Sequence, residues 1–449
     1  MRIAALLLPV VLLAPAGAHG EWDVEGKEEL IPHRETELEW ERLRASGQEP
    51  LAGLLRAADP PPAAPIRNCA EWEPMTGVLV RYPFGLPAAI FTDLDDVVTL
   101  HVVVASGSVS AARNWLLSAG VDTSHVQFLV AANNSIWTRD YGPWFVFDGN
   151  GDVAIVDHVY NRPARPADDL IPVHFGAQQG IPVHRHDMWH TGGNYMTDGS
   201  LFSMSTNLVY NEAASANGMT PAQVDVLMEE YYGIQTYSVL DDIESGGIHH
   251  IDTWGKFLDE ETVLIKEVWT SHYTWATLEQ RATLIASLVA STGREYEVHR
   301  VYCHPIPGGQ PASYTNSLFV NDRILVPTFN NAANDTAALN VYRAAMPGYD
   351  VRGYWYSGWI TDDALHCRAM GIADRQMLRV AHVPVAGPQA GAVPIAALVD
   401  DRSEAGLVSV DLHFRAGGDP WQTVAMTNAS GDTWAATIPD PGSDTTVDY

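Results

Sequence analysis

Gly246-Gly247-Ile248-His249-His250-Ile251-Asp252-Thr253-Trp254-Gly255-Lys256 is the stretch from which both fold and chemistry are read. Two glycines open it, and the residues after them have strand character. Gly192-Gly193-Asn194-Tyr195-Met196-Thr197-Asp198-Gly199 repeats that layout, and Tyr314 to Phe319 and Leu365 to Ala369 are candidate further copies. Repeated ββαβ-like units around an axis make a propeller whose loop residues meet at the centre. His250 and Asp252 are two apart, so on a strand their side chains share a face.

Outward from this stretch the chain alternates. Gly77 to Pro83, Val97 to Ala105 and Val126 to Val130 read as strands, and Ser108 to Ala119, Pro221 to Tyr232 and Thr277 to Ser291 as helices. Ser313 to Thr328 reads as a hairpin turning at Val320-Asn321-Asp322-Arg323. Such alternation predicts an α/β domain. Before it, Glu37 to Leu43 suits a short amphipathic helix, and Asp59-Pro60-Pro61-Pro62-Ala63-Ala64-Pro65 a stiff linker. After Val393, short strands separated by Gly, Asp and Ser resemble part of an immunoglobulin-like β-sandwich. The expected organisation is a signal peptide over 1–20, a helix and linker over 21–66, a catalytic module over 67–390 and an incomplete sandwich over 391–449.

The signal peptide rests on Arg2, the apolar run Ile3 to Ala14 and the small residues Ala16-Gly17-Ala18. Cleavage near Ala18 predicts a secreted or periplasmic protein starting near His19. The apolar run is short for a membrane span. The 449 residues carry 26 Lys+Arg against 55 Asp+Glu, a net charge of −29. That repels nucleic acid and favours cationic ligands. Cys69, Cys303 and Cys367 are an odd count, so at least one thiol is unpaired. A Cys69–Cys303 disulfide is one arrangement that the sequence leaves open.

Cys367, in Leu365-His366-Cys367-Arg368, is a candidate nucleophile once a neighbouring cation lowers its pKa. His366, Arg368 or a bound guanidinium are the candidate cations. Asp140, in Trp137-Thr138-Arg139-Asp140-Tyr141-Gly142-Pro143-Trp144 on a strand-ending turn, and Asp252 sit among aromatics. Buried there, they call for a cationic partner. A guanidinium pairs bidentately with carboxylates, leaving its central carbon to face a thiolate. His249 and His250 would face opposite sides of a strand, which argues against a shared metal. His184-Arg185-His186 reads as a solvated strand end. No metal and no cofactor is expected.

Trp137 to Trp144, Gly246 to Lys256, Ser313 to Phe319 and the His366-Cys367 pair together resemble the agmatine deiminase and bacterial peptidylarginine deiminase family. The resemblance runs from Asn68-Cys69-Ala70-Glu71-Trp72-Glu73-Pro74 to about Ala373. It implies a five-bladed α/β propeller of pentein type. It also implies cofactor-free hydrolysis of a guanidinium through a covalent cysteine thiouronium. By motif, Cys367 is the nucleophile, His250 the general acid and then base, and Asp140 and Asp252 the guanidinium ligands. Asn316 matches an active-site asparagine, and Trp137 a pocket wall. Arg162 and Arg165, in Tyr160-Asn161-Arg162-Pro163-Ala164-Arg165-Pro166, resemble the loop that receives a C-terminal carboxylate, with wider spacing than the family pattern. Gly247 stands where the peptidyl type has a pocket tyrosine, which predicts a wider pocket with Ile248 beside it.

The expected activity is deimination of peptide arginine, preferably C-terminal, to citrulline. An agmatine deiminase making carbamoylputrescine, an amidinotransferase and a non-catalytic secreted binding protein are the alternatives. The expected partners are arginine-bearing peptides or agmatine.

Overall fold

The computed structural model describes residues 33–47, 57–385, 387–403, 405–442 and 444–449. The predicted signal peptide lies outside them. No helix among the described residues is long and apolar enough to cross a membrane.

Five small sheets make up the region between Arg67 and Ala373, and each contains the same three-stranded unit, to which two of them add a fourth strand. A short first strand pairs antiparallel with a second, and the second pairs parallel with a third. Gly255–Phe257, Thr262–Glu267 and Glu297–Tyr302 form one such unit, with the helix Trp275–Ile285 making the parallel crossover. Leu318–Val320, Arg323–Thr328 and Asp350–Trp355 repeat it across the helix Ala332–Ala345. The hairpin turn falls at Asn321 and Asp322, where Asn321 has φ 55°, a conformation asparagine tolerates. In the fifth sheet the first strand is Met370–Ala373, and its antiparallel partner is Met75–Arg81, from the other end of the module. Sequence-distant strands thus complete one sheet.

Local sequence explains the elements well. The helix Pro221–Tyr232 starts with proline at its first turn, and Gln223 Oε1 accepts from Thr220 N at 2.9 Å. It ends at Gly233 with φ 73°. Val224, Leu227, Met228, Tyr231 and Tyr232 form its buried face. Removing the Met228 side chain would cost about 2–5 kcal/mol. The strand Val153–Tyr160 is buried at every position, as expected of a strand covered on both faces. Its Asp157 is paired with Arg185 at 2.9 Å, and Arg185 also holds Asp169 at 2.8 Å.

That pairing corrects one expectation. His184-Arg185-His186 is not a solvated strand end, because Arg185 and His186 are buried within the strand Val183–His190. The Cys69–Cys303 alternative also fails, since all three cysteines are free. Cys303 packs with Leu258, Leu264 and Tyr314, whereas Cys69 packs against a different cluster.

Beyond Ala373, Val393–Asp401 lies between Leu378–Ala381 and Thr433–Ile438, and Asp411–Ala416 pairs with Gln422–Ala425 and Val447–Asp448. Ile395, Leu412, Phe414, Met426 and Ile438 form a small core between these strands.

Candidate active site

Each sheet between Arg67 and Ala373 is entered by a turn, and each turn delivers one residue to a common centre. The one-turn helix Thr138–Tyr141 carries Asp140 and is ended by Gly142 at φ 87°. The 3₁₀ turns Gly192–Asn194, Ile251–Thr253 and His366–Arg368 carry Gly193, Asp252 and Cys367. The loop before Leu318–Val320 carries Asn316. His250 precedes its turn in extended conformation. His250 and Asp252 therefore do not lie on a strand as expected. Gly247 (φ 88°) and His249 (φ 66°) break extended pairing there. The two side chains converge nonetheless.

Gly193 marks the meeting point. A Cβ there would lie 2.6 Å from His250 Nδ1, 2.8 Å from Asp140 Oδ1 and 3.2 Å from Asp252 Oδ2. Cys367 Sγ lies 3.5 Å from Asp252 Oδ2 and 3.3 Å from Asn316 Nδ2. Asn316 Oδ1 accepts from the Ala364 and Cys367 amides at 3.0 and 3.4 Å, fixing the nucleophile turn to the neighbouring sheet. All of these side chains are buried. Oδ1 of Asp252 lacks a hydrogen bond among the described residues, and the Asp140 oxygens lack an aligned one, facing the His33 and His250 imidazoles at 3.0 and 3.6 Å. Buried carboxylate oxygens left open in this way suit a multidentate cationic donor.

Behind the centre lies a charged support that sequence reading missed. His366 Nδ1 contacts Asp252 Oδ2 at 2.7 Å, and its Nε2 contacts Glu71 Oε1 at 2.7 Å. Glu71 also binds Arg139 at 2.9 Å and Lys256 at 2.7 Å. Burial pushes the Glu71 carboxyl up, but Arg139, His366 and Lys256 outweigh it and hold it well below its usual range. Burial likewise opposes ionisation of Asp140, and the His33 and His250 imidazoles outweigh it, so Asp140 is held low. Burial lowers His250 to about 3, against the pull of Asp140, so its ring is neutral at neutral pH. Burial, then Asp252, Asp363 and Asp140, push the Cys367 thiol well up. A cation placed among these groups would reverse that balance.

The Porphyromonas-type peptidyl-arginine deiminase family model matches residues 67–372. The chain belongs to that family. The deiminase is 23% identical over 349 residues to the agmatine deiminase of Medicago truncatula, covering 63% of this chain and 89% of the relative. It is also 23% identical over 343 residues to an agmatine deiminase of Pseudomonas putida, covering 63% and 88%. The solved agmatine deiminase of Enterococcus faecalis superposes with a TM-score of 0.58 at 19% identity, over 69% of this chain and 96% of that one. The C. jejuni agmatine deiminase gives 0.56 at 18%, over 68% and 96%. These likenesses show the α/β pentein fold. Family membership makes the deiminase a hydrolase of C–N bonds in linear amidines.

The remaining predicted residues of the deiminase divide. Trp137 is buried beside Ile136 and Cys367. Arg162 and Arg165 both turn toward one main-chain oxygen, His33 O, from Nε at 3.3 Å and Nη1 at 3.1 Å. Ile248 is buried in the loop between Gly247 and His249. A side chain at Gly247 would be strained at φ 88° and would displace Asp362 Oδ2 and Glu244 Oε2, each 2.7 Å from a Cβ placed there. Arg368, one of the cations considered for the thiol, is committed elsewhere. It binds Asp363 at 2.6 Å and the Gly85 and Gly358 carbonyls at 2.7 and 2.8 Å. His366 is committed to Asp252 and Glu71. Among the described residues, two groups could offer a metal ion three ligand atoms within 4.8 Å of one another: His33, Asp140 and His250, and Asp242, Glu244 and His249.

Proposed function

We propose that this protein converts peptide arginine, preferably at a C-terminus, to citrulline and ammonia, with Cys367 as nucleophile. The observation that carries the reading is the convergence of Asp140, His250 and Asp252 on Gly193, with the Cys367 sulfur beside Asp252. A guanidinium there donates to the open oxygens of Asp140 and Asp252. Its positive charge favours ionisation of Cys367, and neutral His250 takes the thiol proton. The thiolate forms a bond to the guanidinium carbon. His250 returns the proton to the departing nitrogen, the C–N bond breaks, and ammonia leaves a thiouronium on sulfur. His250 then accepts a proton from water as water attacks. The C–S bond breaks, the proton of the new hydroxyl passes to sulfur, the ureido product leaves with the thiol restored, and His250 gives up its proton to solvent or to the ammonia released. Asp140 and Asp252 hold the substrate plane throughout.

Arg162 and Arg165 support the C-terminal preference, because their guanidinium groups meet at one main-chain oxygen. Agmatine has no carboxylate to place there. Its claim rests on the agmatine deiminase names of the relatives at 23% identity. A panel of agmatine, free arginine and a dipeptide ending in arginine, scored for citrulline or carbamoylputrescine and for ammonia, tests the assignment. Agmatine as much the best substrate would overturn it.

We read the five sheets as five propeller blades and the strands after Leu378 as an immunoglobulin-like module. Export follows from the N-terminal sequence, and N-terminal sequencing of protein recovered outside the cytoplasm tests it. A start near His19 is expected.

A further inference from the structure

The centre described above is already filled, and what fills it belongs to the same chain. His33 is buried. Its Nε2 approaches Asp140 Oδ2 to 3.0 Å, and its ring lies 4.4 Å from the Trp137 ring and 5.1 Å from that of His250. A planar, cation-capable side chain thus sits on a carboxylate that the proposed reaction assigns to a guanidinium, between the Trp137 ring and the imidazole that carries the proton. The His33 main-chain oxygen accepts from Arg162 and Arg165, the groups assigned to the substrate carboxylate.

The following residues are held as specifically. Arg34 donates to the Gly247 carbonyl and lies 3.1 Å from His249 Nε2. Its own carbonyl accepts from Arg165 Nη2 at 3.1 Å. The Glu35 carboxylate accepts from the Ala164 amide. Glu39 accepts from Arg165 Nε at 2.8 Å while it caps its own helix, accepting from Thr36 N at 2.7 Å. The helix Glu37–Ser46 rests on Leu43 and ends at Gly47 with φ 70°. Beyond it, Asp59 N is bonded to the Arg185 carbonyl at 2.8 Å. A segment tethered so close acts at an effective concentration on the order of mM, so a modest intrinsic affinity keeps it docked.

We propose that His33–Gly47 is an internal inhibitory strap that occupies the arginine site as a substrate-like peptide, so that the active form requires its displacement. The inference rests on the functional reading above, because it takes the Asp140–His250–Cys367 centre as the reactive one. Simple packing does not explain the polar complementarity, since His33 meets Asp140, Arg162 and Arg165, and Arg34 and Glu39 meet Arg165, groups to which the reaction gives a task. The fit is also imperfect in a way that permits exchange. The contact of His33 Nε2 with Asp140 Oδ2 at 3.0 Å lacks hydrogen-bond alignment, and Asp140 Oδ1 faces His250 Nδ1 at 3.6 Å. A guanidinium with five donors satisfies those oxygens better than an imidazole does.

The test compares the full chain with full-length His33→Ala and Glu39→Gln variants. Iodoacetamide labelling of each cysteine is followed by peptide mass spectrometry, together with citrulline formation from a dipeptide ending in arginine. Both variants are expected to label Cys367 at least tenfold faster, and to raise kcat/KM by a similar factor. Labelling of Cys303, which is buried among Leu258, Leu264 and Tyr314, should stay unchanged and so exclude general unfolding. Unchanged Cys367 labelling and unchanged kcat/KM in both variants would overturn the strap. Faster Cys367 labelling without turnover of any guanidine would keep the strap and overturn the reaction. Turnover that is equal in all three proteins would keep the reaction and overturn the strap.

Discussion

Gly193→Ala is the sharpest probe of the reacting centre, because it adds one methyl and removes nothing. The new Cβ would lie 2.6 Å from His250 Nδ1 and 2.8 Å from Asp140 Oδ1. An ordinary contact is about 3.5 Å, so the side chains or the turn must move by roughly 0.9 Å. Misplacing reacting groups by about 1 Å costs on the order of 100-fold in rate. The Gly192–Asn194 turn is clamped by Asn194, whose Oδ1 accepts from Thr206 N at 3.0 Å and Ile251 N at 3.1 Å, so the strain falls on the catalytic side chains. kcat/KM for a dipeptide ending in arginine should therefore fall about 100-fold, while the melting temperature stays within a few degrees. The measurement belongs in both the wild-type and the His33→Ala background, so that the strap does not mask the effect. Activity within threefold of the parent in both backgrounds would refute the convergence of Asp140, His250 and Asp252 as the working geometry.

Cys367→Ala should abolish ammonia release and leave the far-UV spectrum and melting transition intact; an ammonia assay with calorimetry checks both. Glu71→Gln leaves Arg139 and Lys256 without their carboxylate, and should destabilise the fold by about 3–5 kcal/mol in denaturant titrations. The folded Glu71 carboxyl is depressed below its ordinary 4.5, so its stabilisation is fully present above about pH 4.5 and is lost as the pH falls toward the folded value. Glu71→Gln should accordingly flatten the stability loss below pH 4.5, as seen in melts between pH 3 and 7. Arg185→Met should cost a similar amount, about 3–5 kcal/mol, by removing the guanidinium that pairs with Asp157 and Asp169. KM of the folded fraction should not change, and steady-state kinetics below the melting temperature checks this.

Elements with local signals were legible in the sequence. The helix Pro221–Tyr232 has its cap, proline and terminal glycine within one short window, and the hairpin at Asn321-Asp322 has its turn residues between two apolar runs. The paired glycines gave a weak sign of repetition. The structure shows that the register of that repeat was wrong, because the turn Gly192–Asn194 corresponds to Ile251–Thr253 and not to Gly246-Gly247. What stayed hidden depends on long-range contact. Glu71 meets His366 across 295 residues of sequence, and a lone glutamate in a loop carries no sign of that partner. His33 was invisible for the same reason, since its imidazole gains meaning only beside Asp140. The strand assignment of His250 and Asp252 failed because left-handed backbone at Gly247 and His249 cannot be told from local hydrophobic pattern. The burial of Arg185 depends on two carboxylates from another strand and a separate turn.

The pairing of Met75–Arg81 with Met370–Ala373 has a consequence for how the molecule is made. A ribosome delivers the first of these strands long before the last, so the sheet they share stays one strand short until Met370–Ala373 emerges. Until Ala373 emerges, the edge of Met75–Arg81 is an open template for any extended chain that drifts past. Such late seaming is slow, as contacts between distant segments generally are. It makes the nascent polypeptide a client for holding factors until its tail arrives.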